Sequence, residues 1–289
     1  SAQSQPSSSG EDVIHFGISD VLLVALAAAS LALISWRHWW SLKDAPRQPE
    51  LFQPAIALTL VLMIFVLGRV AVTIVADRAG ITLPTADHPH EFTLEERARL
   101  TLGVYIAQSL VVVVYAWRCM NIRVTPPDRR AGVFAAIVAG AVSLLLAWPI
   151  VSAVGGAGGL IVSLLRGEQV SRIAHSTLGQ LAEGSIDTWH IILGAMVVFV
   201  APVIEEVMYR GLLQQTIIRV GVRRWPAIVI TSVFFALMHI DAAQPHAVVA
   251  LFVLSLGLGL ICERTGRLLA PIVMHMLFNS ANLALGLTT

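Results

Sequence analysis

The sequence predicts an all-α fold, a polytopic membrane helical bundle of about eight transmembrane helices with an interfacial segment. Two observations carry that expectation. Of the 289 residues, 56% are hydrophobic and only 13% charged, and the mean hydropathy of +0.78 lies far outside the soluble norm. The apolar residues also fall into runs close to the ~20 that a helix needs to cross the hydrocarbon core. No segment repeats at a period of 20 to 50 residues. No basic cluster interleaved with aromatics appears, so a nucleic-acid partner is not expected. Cys119 and Cys262 stand at the ends of apolar runs, which fits neither a disulfide framework nor a paired-cysteine metal motif.

In chain order, residues 1–17 open with SAQSQPSSSGED, a polar stretch that reads as a disordered tail. Its small residues ahead of a first span are compatible with a removed signal peptide. Eight spans follow: Ile18 to Trp36, Pro54 to Val75, Thr101 to Trp117, Ala131 to Val151, Thr188 to Ile204, Pro226 to His239, Ala247 to Cys262 and Leu268 to Leu285. The sixth is short, and the fifth is expected to run on as helix toward Arg219. The stretch from Gly155 to Gly184 mixes glycine, polar residues and an apolar patch, which suggests an interfacial helix and loop. The LEERARL turn before the third span reads as solvated or interfacial helix. Arg69, inside the second span, is costly in hydrocarbon and is expected to be structural.

Orientation is read from the basic residues in the loops. Loops one, three, five and seven hold twelve Lys and Arg: Arg37, Lys43, Arg47, Arg118, Arg123, Arg129, Arg130, Arg219, Arg223, Arg224, Arg264 and Arg267. The opposite side holds five: Arg78, Arg97, Arg99, Arg166 and Arg172. Both termini are therefore expected on the non-cytoplasmic side. Trp36, Trp39, Trp40, Trp117 and Trp225 lie at span ends, as an interfacial belt requires.

The chemistry-bearing stretch is Ala201-Pro202-Val203-Ile204-Glu205-Glu206-Val207-Met208-Tyr209-Arg210-Gly211. Adjacent carboxylates at membrane depth each cost several kcal/mol, about 3 even on lenient insertion scales. Glu206 and Arg210 are i,i+4 neighbours able to pair on one helical face. Glu205, about 100° round the helix, is left without that partner and is a candidate general base. Two further segments add polar groups: Phe235 to His239 at the end of the sixth span, and His275 to Asn279 in the eighth, where the two residues share a helical face. At ~1.5 Å per residue from the expected cytoplasmic ends, Glu205 lies roughly 21 Å deep, His239 about 20 Å, His275 about 10 Å and Asn279 about 17 Å. Three spans thus bring acid, imidazole and amide groups toward one layer. Asp241, His246, His175 and His190 flank loops or interfacial segments and are expected to be structural.

EExxxR, FxxxH and HxxxN, in that order on successive spans, resemble the CAAX protease and bacteriocin-processing (CPBP, or Abi) family, which includes the type II CAAX prenyl endopeptidases. Every motif position matches: Glu205, Glu206 and Arg210; Phe235 and His239; His275 and Asn279. The resemblance implies an intramembrane endopeptidase that hydrolyses peptide bonds of membrane-associated peptides or proteins with activated water. By position, Glu205 is the general base, His239 its partner in holding the water, and His275 and Asn279 the oxyanion donors. Glu206, Arg210 and Phe235 support them. The resemblance covers roughly Trp189 to the C-terminus and implies a catalytic transmembrane core (187–289), preceded by the tail (1–17) and an N-terminal transmembrane region with the interfacial segment (18–186), to which it lends no support. The expected setting is an integral protein of a bacterial inner or plasma membrane.

No cofactor is favoured. The mechanistic alternative is a zinc metalloprotease, since Glu205, His239 and His275 are ligand types suited to a catalytic zinc; HExxH is absent, however, and asparagine is a poor zinc ligand. A non-catalytic membrane scaffold or bacteriocin-immunity protein could use the same polar cluster structurally. A proton-coupled transporter is a third class, but inverted repeats with broken helices are not evident.

Overall fold

The computed structural model describes residues 18–46, 48–85, 90–121, 129–167, 176–182 and 186–287. The expected tail (1–17) and His175 lie outside the described residues. Nine helices are found among those described, with no strand: α1 (Ile18–Trp36), α2 (Pro54–Ala79), α3 (Leu94–Asn121), α4 (Arg129–Arg166), α5 (Ser176–Ala182), α6 (Thr188–Arg219), α7 (Arg224–Leu237), α8 (Pro245–Thr265) and α9 (Leu269–Gly286). Seven of them are long and apolar enough to cross a membrane, so the chain is a polytopic helical membrane protein.

Local signals explain several boundaries. α2 and α8 each begin with proline and end at a glycine in the left-handed region, Gly80 (φ 65°) and Gly266 (φ 62°), the asymmetry that helix-terminal stereochemistry favours. α6 starts at Asp187, whose carboxylate accepts from the backbone N–H of Trp189 and His190 at 2.8 and 3.0 Å, while the His190 side chain reaches back in a reciprocal capping box. His190 is thus a capping residue.

Two expectations need correction. The Gly155–Gly184 stretch does not begin a separate interfacial segment, because α4 continues without a break to Arg166. Its glycines serve helix packing: a Cβ on Gly158 would sit 3.1 Å from the His246 Cβ, and one on Gly155 3.5 Å from that of Ala250. Glycine here is a condition of close approach to α8, as small residues are wherever membrane helices approach backbone to backbone. His246, expected in a loop, is accordingly buried on the first turn of α8. The sixth span, expected to be short, is α7 with 14 residues, which is about 21 Å of helix against a ~30 Å hydrocarbon core. The LEERARL turn is the N-terminal extension of α3, and Arg69 lies exposed on the outer face of α2.

α6 is the central helix. It is the most buried of the seven spans, 56% against 17–33% for the other six. α2 and α3 pack together and flank α6 on one side; α9 meets it on another, and α7 and α8 complete the surround. α4 packs against α1, α8 and α9; at Gly140 the approach to α9 is so close that a Cβ would lie 2.5 Å from the Ala270 carbonyl oxygen.

One end of the bundle is tied by arginines. Arg118 Nε donates to the Leu51 carbonyl (2.9 Å), and Arg219 donates to those of Phe52 and Pro49. Arg224 donates to Leu42, Ala45 and Pro46, and Arg264 to Trp39 and Ser41. Trp225 Nε1 adds a bond to the Trp40 carbonyl. Basic residues from three different loops or helix ends therefore fasten the single α1–α2 connection, residues 37–53.

Candidate active site

α6 is not a uniform α-helix. Met196–Val200 and Val207–Gln214 are π-helical, and the six residues Ala201–Glu206 between them are α-helical. Glu205 and Glu206 thus sit between two widened turns, a distortion that is rare overall and concentrated at functional sites.

Glu206 and Arg210 are both fully buried. Glu206 Oε1 accepts from Arg210 Nη1 at 2.9 Å and from His275 Nδ1 at 2.9 Å. Arg210 Nη2 donates to the hydroxyl (2.6 Å) and carbonyl (3.1 Å) of Ser255 on α8. Its guanidinium also lies 4.9 Å over the Phe235 ring and 5.8 Å over that of Tyr209, where the negative faces of the rings further offset the charge. The pair expected from the i,i+4 spacing is present, and it does more than was expected: the same carboxylate oxygen grips His275, 69 positions away.

Glu205 differs from its neighbour. Its side chain is 23% exposed, and Oε2 is buried with no hydrogen-bond partner, 3.9 Å from His275 Nε2. That separation is too long for a hydrogen bond. His239 lies in the turn just after α7, where His239, Ile240, Ala242 and Ala243 close short backbone bonds among themselves and to the helix end. His239 Nδ1 is 2.7 Å from the Phe235 carbonyl. A carbonyl can only accept, so Nδ1 carries the proton and Nε2 is the nitrogen able to accept one. Asn279 Nδ2 donates to the Val197 carbonyl at 2.9 Å.

Phe235 joins the three motifs. Its fully buried ring lies 4.7 Å from the His239 ring, 5.8 Å from His275 and 5.1 Å from Tyr209, centroid to centroid. Every expected site residue is therefore linked to the cluster: Glu206, Arg210 and His275 by hydrogen bonds, Glu205 by its approach to His275, His239 through Phe235, and Asn279 through α6. The depth arithmetic set His275 too far from Glu206, since the two are in direct contact.

Sequence reading missed Ser255 and Tyr209. It also missed a second buried cluster below the site, in which Glu263 Oε1 accepts from Gln214 (2.9 Å) and Gln215 (2.7 Å) while Oε2 lies 3.4 Å from Arg224 Nε. The adjacent glutamines in an otherwise apolar helix were the available signal. Among the described residues, no three His, Cys, Asp or Glu side chains form a group that could hold a metal ion. Glu205, His239 and His275 accordingly do not form a three-ligand set in this arrangement.

Residues 187–281 match the family model of type II CAAX prenyl endopeptidase Rce1-like proteins. The family resemblance holds over this segment. The match begins at the cap of α6 and ends just past Asn279, so it spans about a third of the chain and contains all seven motif residues. It supports, in general terms, a CAAX protease-type function within a membrane. Neither the curated proteins nor the solved structures compared with the chain gave a match.

Proposed function

We propose that the chain is an intramembrane endopeptidase that hydrolyses peptide bonds of membrane-associated peptides or proteins, with residues 187–289 as its catalytic core. The observation that carries this reading is the unequal treatment of two adjacent carboxylates. Glu206 is fully buried and held through Oε1 by an arginine and a histidine, whereas the Glu205 side chain is 23% exposed and its Oε2 meets no more than the 3.9 Å approach of His275. A structural pair would not require the second acid.

In the proposed reaction Glu205 takes a proton from water, which His239 Nε2 helps to hold, and the oxygen attacks the substrate carbonyl carbon. Negative charge develops on the carbonyl oxygen, where His275 Nε2 and the remaining N–H of Asn279 donate to it. For His275 to donate from Nε2 it must hold both ring protons, because Nδ1–H is engaged by Glu206. The C–N bond then breaks as the proton held by Glu205 passes to the leaving amine. Glu206, Arg210 and Ser255 fix the helix and the imidazole without touching substrate.

The test uses the full chain in lipid nanodiscs with a library of membrane-anchored peptides. Glu205→Gln and His239→Ala are expected to lose at least 100-fold in turnover while keeping the thermal unfolding midpoint. A fully active Glu205→Gln protein overturns the proposal. Metal content of the same preparations decides the mechanistic alternative: stoichiometric zinc whose chelation abolishes cleavage replaces the metal-free step with a metalloprotease one.

A further inference from the structure

The wide turn before the paired carboxylates contains a backbone carbonyl that the helix itself cannot satisfy. Ala201 N–H, which in an α-helix would bond to Val197 O, reaches back five residues to Met196 O instead. In that five-residue register the donor for Val197 O falls at position 202. Residue 202 is proline, and proline has no N–H. Val197 O is thus denied a backbone donor in both registers, and an unpaired carbonyl in an apolar interior is costly. The side chain of Asn279, on α9, supplies the missing donor at 2.9 Å.

We propose that Pro202 is a positioning residue of the site: by withholding one N–H, it reserves the Val197 carbonyl for Asn279 and so sets α9 in register against the helix that carries Glu205. The inference deepens the catalytic reading of Asn279 and rests on that reading for its functional consequence. The carboxamide has two N–H groups. One is consumed by Val197, which fixes the plane of the amide, and the other is left in a defined direction for substrate. The clamp also acts on His275, one turn earlier on α9, whose Nδ1 must meet Glu206 at 2.9 Å. Two bonds, at Val197 and Glu206, then bracket Glu205 from a single face of α9. A proline three residues before paired acids is therefore part of the site although its ring need touch no substrate.

The test is a double-mutant cycle on the full chain in nanodiscs, read by thermal unfolding. Asn279→Leu leaves Val197 O unpaired and is expected to lower the midpoint by several degrees. In Pro202→Ala, position 202 regains an N–H and can satisfy Val197, so Asn279→Leu is expected to lower the midpoint by less than half as much. Strict additivity of the two substitutions overturns the proposal. Should Pro202→Ala fail to fold, hydrogen exchange in Asn279→Leu alone decides: faster exchange at residues 198–203 than in the unaltered chain supports the clamp, and unchanged exchange overturns it. Neither readout requires catalysis, so loss of the protease reading through an active Glu205→Gln leaves this result standing. If both hold, Pro202→Ala lowers kcat at least tenfold with KM unchanged when turnover is expressed per folded molecule, a normalisation that removes the contribution of general destabilisation.

Discussion

At the scale of single residues, the spacing of the motifs told which side chains could share a face, and it paired Glu206 with Arg210 correctly. It could not tell that Phe235 would be the common neighbour of two imidazoles, a tyrosine and a guanidinium. That role depends on three helices converging, and no local pattern contains it. Ser255 was equally illegible, since a lone serine in an apolar span has many ordinary uses. The buried pair yields a sharp expectation. Arg210→Met leaves Glu206 as a desolvated carboxylate held by His275 alone, and stability should fall by about 3–5 kcal/mol, the usual cost of stranding a buried charge. Adding Glu206→Gln should recover part of that loss. Both effects are measurable by reversible unfolding in mixed micelles, and a smaller loss in the single variant than in the double contradicts the assignment.

Elements were legible where they were regular. Seven spans and the run of α6 to Arg219 follow from apolar length, whereas the departures from regularity did not show. Nothing in composition distinguishes a π-turn from an α-turn. Gly155 and Gly158 of α4 were misread as loop because their reason lies on another helix, at Ala250 and His246. α7 stops short because its last turn gives way to the backbone-satisfied bend carrying His239. The start of α6 has a pH dependence of its own. The hydrogen bond from the backbone N–H of His190 holds the exposed Asp187 carboxyl below the usual carboxylate range. A depressed folded pKa stabilises the cap above the unfolded value of about 3.9, and that contribution is lost as pH falls through the folded value. Exchange at residues 188–192 should accelerate across that acidic window, and Asp187→Asn should flatten the dependence. An unchanged profile in the variant removes the carboxylate as its origin.

For the whole molecule, loop charge counting placed Arg118, Arg219, Arg224 and Arg264 on one side, and they do gather at one end of the bundle. What counting could not supply is their target. They donate to main-chain carbonyls of residues 39–52, and through Arg224 and Glu263 the fastening continues to Gln214, one turn from Arg210. Arg224→Ala combined with Arg264→Ala should therefore raise hydrogen exchange at residues 39–46 at least tenfold, with little change in α2. Equal protection in the two proteins shows that the connection holds itself.

The fastening also has a direction in time. Donor and acceptor are separated by 167 residues for Arg219 and Phe52 and by 225 for Arg264 and Trp39. During synthesis the first connection emerges long before most of its anchors; Arg118 reaches the Leu51 carbonyl early, and the other carbonyls wait for donors in the last third of the chain. A ribosome stalled before Arg219 would leave a chain that is threaded but latched at Leu51 alone, open to whatever quality control inspects unfinished membrane proteins.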